Sequence, residues 1–492
     1  MYPAGRRTAA ASRSCAMNGP KMPETHAYGA GKLWRSRSKA RASCRGIPKQ
    51  MKTMKRVVLL WLVCTMSAAS AGDLPAPVRD DAYAPVNLNE VRLGQLLFWD
   101  PILSGNRNIA CATCHHPRFG TSDGVSLGLG EGGIGLGPDR ATDPANLPEQ
   151  RIPRNATALF NLGARQFTVL FHDGRIEADP SRPSGLRTPL EDDMMMGFRN
   201  VLSAQTMFPV LSSDEMAGHY SENDVARAVR QGRITGQGGA WNIITDRIAA
   251  IEDYQSRFSS VYPEIGAGRP IAFTDISNAI AAFVGFEWRS DDSAFDRHVR
   301  GQEVLTGDAA AGMSLFYGKA GCDACHSGPF QTDHRFHAMG IPQIGPGKRE
   351  RFETHFRDIG RMRVTGRPDD AYAFRTPSLR NVTATAPYGH DGAYRELATF
   401  LTAHVDPPTA IADFDRSQAI LPKLEGAEDW RILDDPIEAG AIAASAVSRY
   451  TELTEAEIEA ILAFLQTLTD PIALEGRLGI PDTVPSGLPV ER

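Results

Sequence analysis

Cys111-Ala112-Thr113-Cys114-His115 and, in the second half of the chain, Cys322-Asp323-Ala324-Cys325-His326 decide how this protein folds. Two thiols one helical turn apart reach the two vinyl groups of one haem, and the adjacent His turns its imidazole to the iron as proximal ligand. Each motif therefore reads as a covalent c-type haem attachment site. A redox CxxC or a zinc knuckle shares the two Cys but does not call for a His directly after them. Of the seven Cys, Cys15, Cys44 and Cys64 precede an export cleavage site, and the other four are all in the motifs. No thiol remains for a structural disulfide, which is the arithmetic of an exported cytochrome and not of a disulfide scaffold.

Working outward, each motif follows a short stretch of helical spacing: Leu93, Leu96 and Leu97 before the first, Met313 and Phe316 before the second. A further helix closes the second half, with Ile458, Ile461, Leu462, Leu465 and Leu468 on one apolar face and Thr454 and Glu457 as a capping box. The expected fold is mostly α, with two cytochrome c-like helical haem domains and long loops, in keeping with 46 Gly and 33 Pro. The expected division is 1–71 as upstream extension and signal peptide, 72–300 as the N-terminal haem domain, 301–475 as the second haem domain, and 476–492 as a tail. The polar stretch from Asp296 to Asp308 is the expected linker.

Met54-Lys55-Arg56, an apolar run from Val57 to Val63 and Ala69-Ser70-Ala71 form the basic, apolar and cleavage regions of a secretory signal peptide. This favours a start at Met51 or Met54 and an over-long gene reading upstream; an Arg-rich transit peptide and a retained N-terminal anchor are the alternatives. The apolar run is too short to span a bilayer. The expected location is the periplasm, with no integral membrane segment. A net charge of -5 leaves no polybasic footprint for nucleic acid or anionic lipid.

The segment from Arg92 onward resembles the bacterial dihaem cytochrome c peroxidases and their MauG-type relatives. The match rests on Arg92-Leu93-Gly94 through Phe98-Trp99-Asp100-Pro101, Pro153-Arg154-Asn155-Ala156, Asp173-Gly174-Arg175, and Gln205 with Glu215-Met216. It continues through Phe374-Arg375-Thr376-Pro377-Ser378-Leu379-Arg380-Asn381 and Ala386-Pro387-Tyr388-Gly389-His390-Asp391-Gly392. The resemblance implies that the His115 haem reacts with hydrogen peroxide and that the His326 haem relays electrons. Glu215 falls at the family's distal acid–base carboxylate, and peroxide cleavage needs a group that takes a proton from one oxygen and returns it to the other. Gln205 matches a distal residue that hydrogen-bonds peroxide. Read without the family, Glu215 is a solvated loop acid.

The resemblance also shows where this chain departs. Classical members often carry a His in the loop after the first motif; here no His lies between His116 and His172. The first haem is thus expected to be open, as in MauG-type enzymes. The second haem's sixth ligand is expected at His404, fourteen residues beyond His390, where peroxidases have Met and MauG-type enzymes Tyr. Leu397, Phe400, Leu401 and His404 share a helical face. Met339 and Met362 are fallback ligands. A second His removes the raised potential of a Met/His iron, so a low-potential relay is expected. His172 stands where the family has a Trp electron-transfer bridge. Asn155, Thr385 and Pro387 match an inter-domain calcium site of oxygen ligands. Met194-Met195-Met196 reads as a loop packing on a haem edge. His219, His298, His334, His337 and His355 have no assigned role.

The expected function is a periplasmic peroxidase of the cytochrome-c peroxidase type, with two covalent haem c groups and one calcium ion. It would draw electrons from a small cytochrome c or cupredoxin. One alternative is a MauG-type oxidation of Trp or Tyr on a partner protein; another is a non-catalytic dihaem electron carrier. A monomer and a homodimer are both compatible with the sequence.

Overall fold

A computed structural model describes residues 74–349, 353–447 and 451–492; the expected signal segment lies outside the described residues. The helix Leu88–Trp99 starts where the Asn87 side chain accepts the backbone N–H groups of Asn89 and Glu90. It packs across the helix Phe273–Glu287. Gly94 permits the crossing: a Cβ there would run into the carbonyl oxygen of Ala279. The second half repeats this device. The helix Gly307–Phe316 packs across Glu455–Gln466, and a Cβ on Gly312 would meet the carbonyl oxygen of Ala460. Thr454 and Glu457 form the expected capping box, with the Glu457 carboxylate 2.9 Å from the Thr454 N–H.

Each crossing lies just before a haem motif. The first motif forms the short helix Cys111–Cys114 and the second the 3-10 turn Cys322–Ala324. Around the first crossing Phe98, Trp99, Trp241, Phe283 and Trp288 are buried in one core. A separate cluster holds Phe295, Phe316, Phe464, Leu465 and Leu468. Full burial of such a side chain contributes roughly 1.5–3 kcal/mol, so each crossing is held mainly by its own core. The strands are short antiparallel pieces; one pairs Phe336–His337 with Phe374–Arg375, in the register Phe336↔Arg375.

The described residues fall within one compact unit, and buried charge joins its halves. Arg154 pairs with Asp173 at 2.7 Å and with Asp358 at 2.6 Å, all three buried. Arg151 grips Asp429 at 2.7 and 3.0 Å. Ser126 donates to the Gly392 carbonyl (2.6 Å) and accepts from the Ile420 N–H (2.8 Å). The stretch expected as a linker is corrected in part: Ala294–Val299 is a helix, capped by Ser293, and Asp296 is buried against Arg380 at 2.5 Å. The apolar Phe295 beside Asp296 drives that burial, and Arg380 supplies the countercharge.

Two candidate haem sites

The two proximal histidines are prepared alike. His115 Nδ1–H donates to the Thr121 carbonyl at 3.1 Å, and His326 Nδ1–H to the Gln331 carbonyl at 3.2 Å. That bond fixes the tautomer, leaves Nε2 for a metal and raises its basicity. Burial lowers both pKa values, so both rings stay neutral and able to ligate.

Beside the first motif, Glu215 sits in a single π turn, Ser213–Ala217, a feature frequent at functional sites. Gly130 makes room for it: a Cβ there would lie 2.8 Å from the Glu215 Cα. Burial raises the Glu215 pKa above the usual carboxylate range, against the pull of Arg175 and Lys348. Its charge also reaches the Cys114 thiol, together with those of Arg140, Asp123 and Glu491. Gln205 ends the helix Val201–Gln205, half-buried. The glycine-rich loop that lacks a His is clamped by Arg140. Its guanidinium donates to the carbonyls of Leu129, Gly130 (2.9 Å) and Gly135 (2.5 Å).

The second motif opens on a cavity of about 630 Å³. Cys322, Cys325, His326 and His404 all line it, and the His326 and His404 ring centroids are 6.3 Å apart. Two imidazole nitrogens each about 2 Å from one metal ion put the ring centroids roughly 6 Å apart, so the pair fits a shared iron. The helix Leu397–Val405 turns Leu397, Phe400, Leu401 and His404 into the cavity as their spacing predicts. Burial, then the neighbouring His326, lowers His404 to about 4. Its Nδ1 is buried without a hydrogen-bond partner among the described residues, so this ring lacks the lock that both proximal rings have. Met339 lines the cavity, whereas Met362 begins a helix, Met362–Thr365, and is not among the lining residues.

Asn155, Thr385, Pro387 and His172 meet at the same cavity. Asn155 Nδ2 is spent on the Val125 carbonyl (2.8 Å), and its own carbonyl accepts His172 Nε2–H at 3.1 Å. Burial lowers His172 to about 4, so it is a neutral donor. Such amide and carbonyl oxygens are the ligand type a hard cation takes. Cys325, Asp333 and His337 also cluster, with His337 Nε2 2.9 Å from Asp333; Cys325 belongs to the haem motif, so this is no independent metal site. Met194 is buried and Met195 packs on the first core, but Met196 is 65% exposed. The loop thus packs its first two Met inward and turns its last to solvent.

Two cytochrome-type attachment motifs, each with a locked proximal imidazole, define a dihaem c-type protein. Residues 88–304 match the sequence model of the di-haem cytochrome c peroxidase family, and relatives named as MauG and as cytochrome c peroxidase support the resemblance. The methylamine utilization protein MauG of Methylorubrum extorquens is 29% identical over 332 residues, 67% of this chain and 72% of that protein. The cytochrome c551 peroxidase of Nitrosomonas europaea is 28% identical over 351 residues, 70% and 83%. Among solved structures, a MauG-like protein associated with microbial copper homeostasis is 26% identical, with a TM-score of 0.51 over 83% of this chain and 96% of that one. The diheme peroxidase BthA of Burkholderia thailandensis shares the fold, at 19% identity and a TM-score of 0.50 over 82% of this chain and 94% of that one.

Residues around these sites escaped the sequence reading. Arg140, Arg380 and Lys348 carry no local pattern: Arg140 binds backbone carbonyls, and Arg380 joins Asp296 to the Pro329 carbonyl beside the second motif. Their only signal was the presence of Arg380 in the Phe374–Asn381 signature.

Proposed function

We propose that this protein is a periplasmic dihaem peroxidase that reduces hydrogen peroxide at the His115 site with electrons from a small redox protein, entering through the His326/His404 site. Bound there, the two haems would supply the iron for peroxide reduction and the relay for electrons. The observation that carries the reading is a half-buried carboxylate, Glu215, held in a π turn against the Gly130 backbone, with its pKa raised by desolvation and its charge felt at Cys114 of the first motif. No His competes for that site from the clamped loop. Glu215 takes a proton from one peroxide oxygen and returns it to the leaving one. Gln205 orients peroxide through its amide. Arg175 and Lys348 favour the ionised form of Glu215 that accepts the proton. The reaction balances as one peroxide, two electrons from the donor and two protons giving two waters. Asn155, Thr385 and Pro387 would hold a calcium ion, and His172 would bridge the sites by hydrogen bonding.

A second reading is supported by the His326–His404 pair. A bis-His relay has a lower potential than a Met/His one and suits oxidation of Trp or Tyr on a partner protein, as in MauG-type chemistry. Steady-state oxidation of a reduced small cytochrome by peroxide separates the two: fast turnover supports the peroxidase, and negligible turnover with oxidation of a partner protein supports the alternative. Glu215→Gln should keep both haems attached and lower the rate with peroxide by roughly 10²-fold or more. Unchanged reactivity would remove Glu215 from the mechanism.

A further inference from the structure

The segment Arg477–Arg492 belongs to the second half by sequence but lies on the first. Arg477 donates to the carbonyls of Phe286, Glu287 and Arg289 at 3.3, 3.2 and 2.7 Å. The Glu287 carboxylate accepts the N–H groups of Leu478 and Gly479 at 2.7 and 2.8 Å. Ser486 donates to the buried Asp100 at 2.6 Å, and Val484 is buried in the first core. The segment ends on the first haem motif itself. Thr113, between the two motif cysteines and only 2% exposed, donates its hydroxyl to Glu491 at 2.6 Å while accepting the Ala110 N–H at 3.1 Å. The Glu491 charge also reaches Cys114. A hydrogen bond to an ionised acceptor is about twice as strong as a neutral one, so this is the firmest contact at the end of the segment.

The position has a chemical meaning. Thioether bonds at Cys111 and Cys114 would place one edge of the haem beside this contact, and that edge is where a small donor would otherwise deliver an electron. A segment laid on it adds distance and a negative charge. We propose that Glu491 latches the Arg477–Arg492 strap over the attachment edge of the first haem, so that one-electron donors reach the iron at His115 only by way of the second site. Glu491 is then a positioning residue that sets donor specificity. This rests on the proposed division of labour between the two sites.

The test is stopped-flow reduction of the diferric, fully haem-loaded protein with dithionite, whose one-electron donor is an anion, and with reduced methyl viologen, a cation. In each step one electron leaves the reductant and one ferric iron becomes ferrous. In the intact protein, reduction at the His115 site should follow reduction at the His326 site at a rate independent of reductant concentration. Ending the chain at Gly479, or Glu491→Ala, should add a direct phase at the first site that is linear in reductant and at least tenfold faster at high concentration. Glu491→Gln keeps an accepting oxygen for Thr113 but no charge; it should stay closed to methyl viologen and gain reactivity only with dithionite. Two haems per chain, counted on each variant, guard against misfolding. A concentration-independent first site in both the shortened chain and Glu491→Ala overturns the proposal, as does a lowered thermal midpoint with no direct phase. The division of labour is read separately on the intact protein, by whether the high-spin signal of the first haem responds to peroxide.

Discussion

The two halves of this molecule begin as copies and end as opposites. Both cross two helices at a glycine, Gly94 on Ala279 and Gly312 on Ala460, and both lock a proximal imidazole on a loop carbonyl. The opposite sides diverge. The first half offers a carboxylate in a π turn and a loop clamped without a His. The second offers another imidazole 6.3 Å away, ring to ring. Under the proposed function, one scaffold thus serves a site that cleaves a small oxidant and a site that passes electrons. The difference lies in the side chains gathered around each motif, Glu215 near the first and His404 at the second, and not in the helix crossing that precedes it.

The sharpest way to break this contrast is His404→Ala. It should convert the second haem wholly from low to high spin, making the two sites spectroscopically alike; a spectrum that stays low spin would assign the ligation to another residue, with Met339, which lines the same cavity, a candidate. Next in size is Arg140→Ala, which removes three carbonyl contacts from the first loop. Hydrogen bonds to charged groups contribute about 1.5–3 kcal/mol each, and several should be lost together, seen in chemical denaturation and in a mixed spin state of the first haem alone. Gly94→Ala and Gly312→Ala should each cost about 1–3 kcal/mol by overpacking. Each should lower the stability of its own helix pair; a cost confined to one of them would show that the two crossings are not equivalent. The smallest effect is in pH. In the proposed mechanism Glu215 must be ionised to accept a proton, and burial raises its pKa. The peroxide rate should therefore fall as pH drops through a value above the ordinary Glu of about 4.3. Glu215→Gln should lack that limb, and an unchanged limb would assign it to another group.

What could be read from the sequence follows from how local each interaction is. The haem motifs are legible because attachment is fixed within five residues. His404 is legible because helical period and its distance from His390 agree, and the helix Leu397–Val405 turns it into the cavity. Thr454 and Glu457 announce a cap three residues apart. Arg154 was quoted only as part of a signature, because its partners, Asp173 and Asp358, are distant and no spacing rule connects them. The start of the expected linker was misread for the same reason: Asp296 looks solvated until Arg380 is brought to it. Polarity in a sequence marks a surface only when no countercharge folds onto it.

The contact between Thr113 and Glu491 also sets an order of assembly. Its partners are separated by 378 residues, and a chain that emerges from its N-terminal side presents Thr113 long before Glu491. Folding during synthesis proceeds in that direction. Under the proposed latch, Cys111 and Cys114 would stay uncovered by the strap throughout that interval, because the strap follows even the second motif along the chain. The first motif would thus be complete early and covered late.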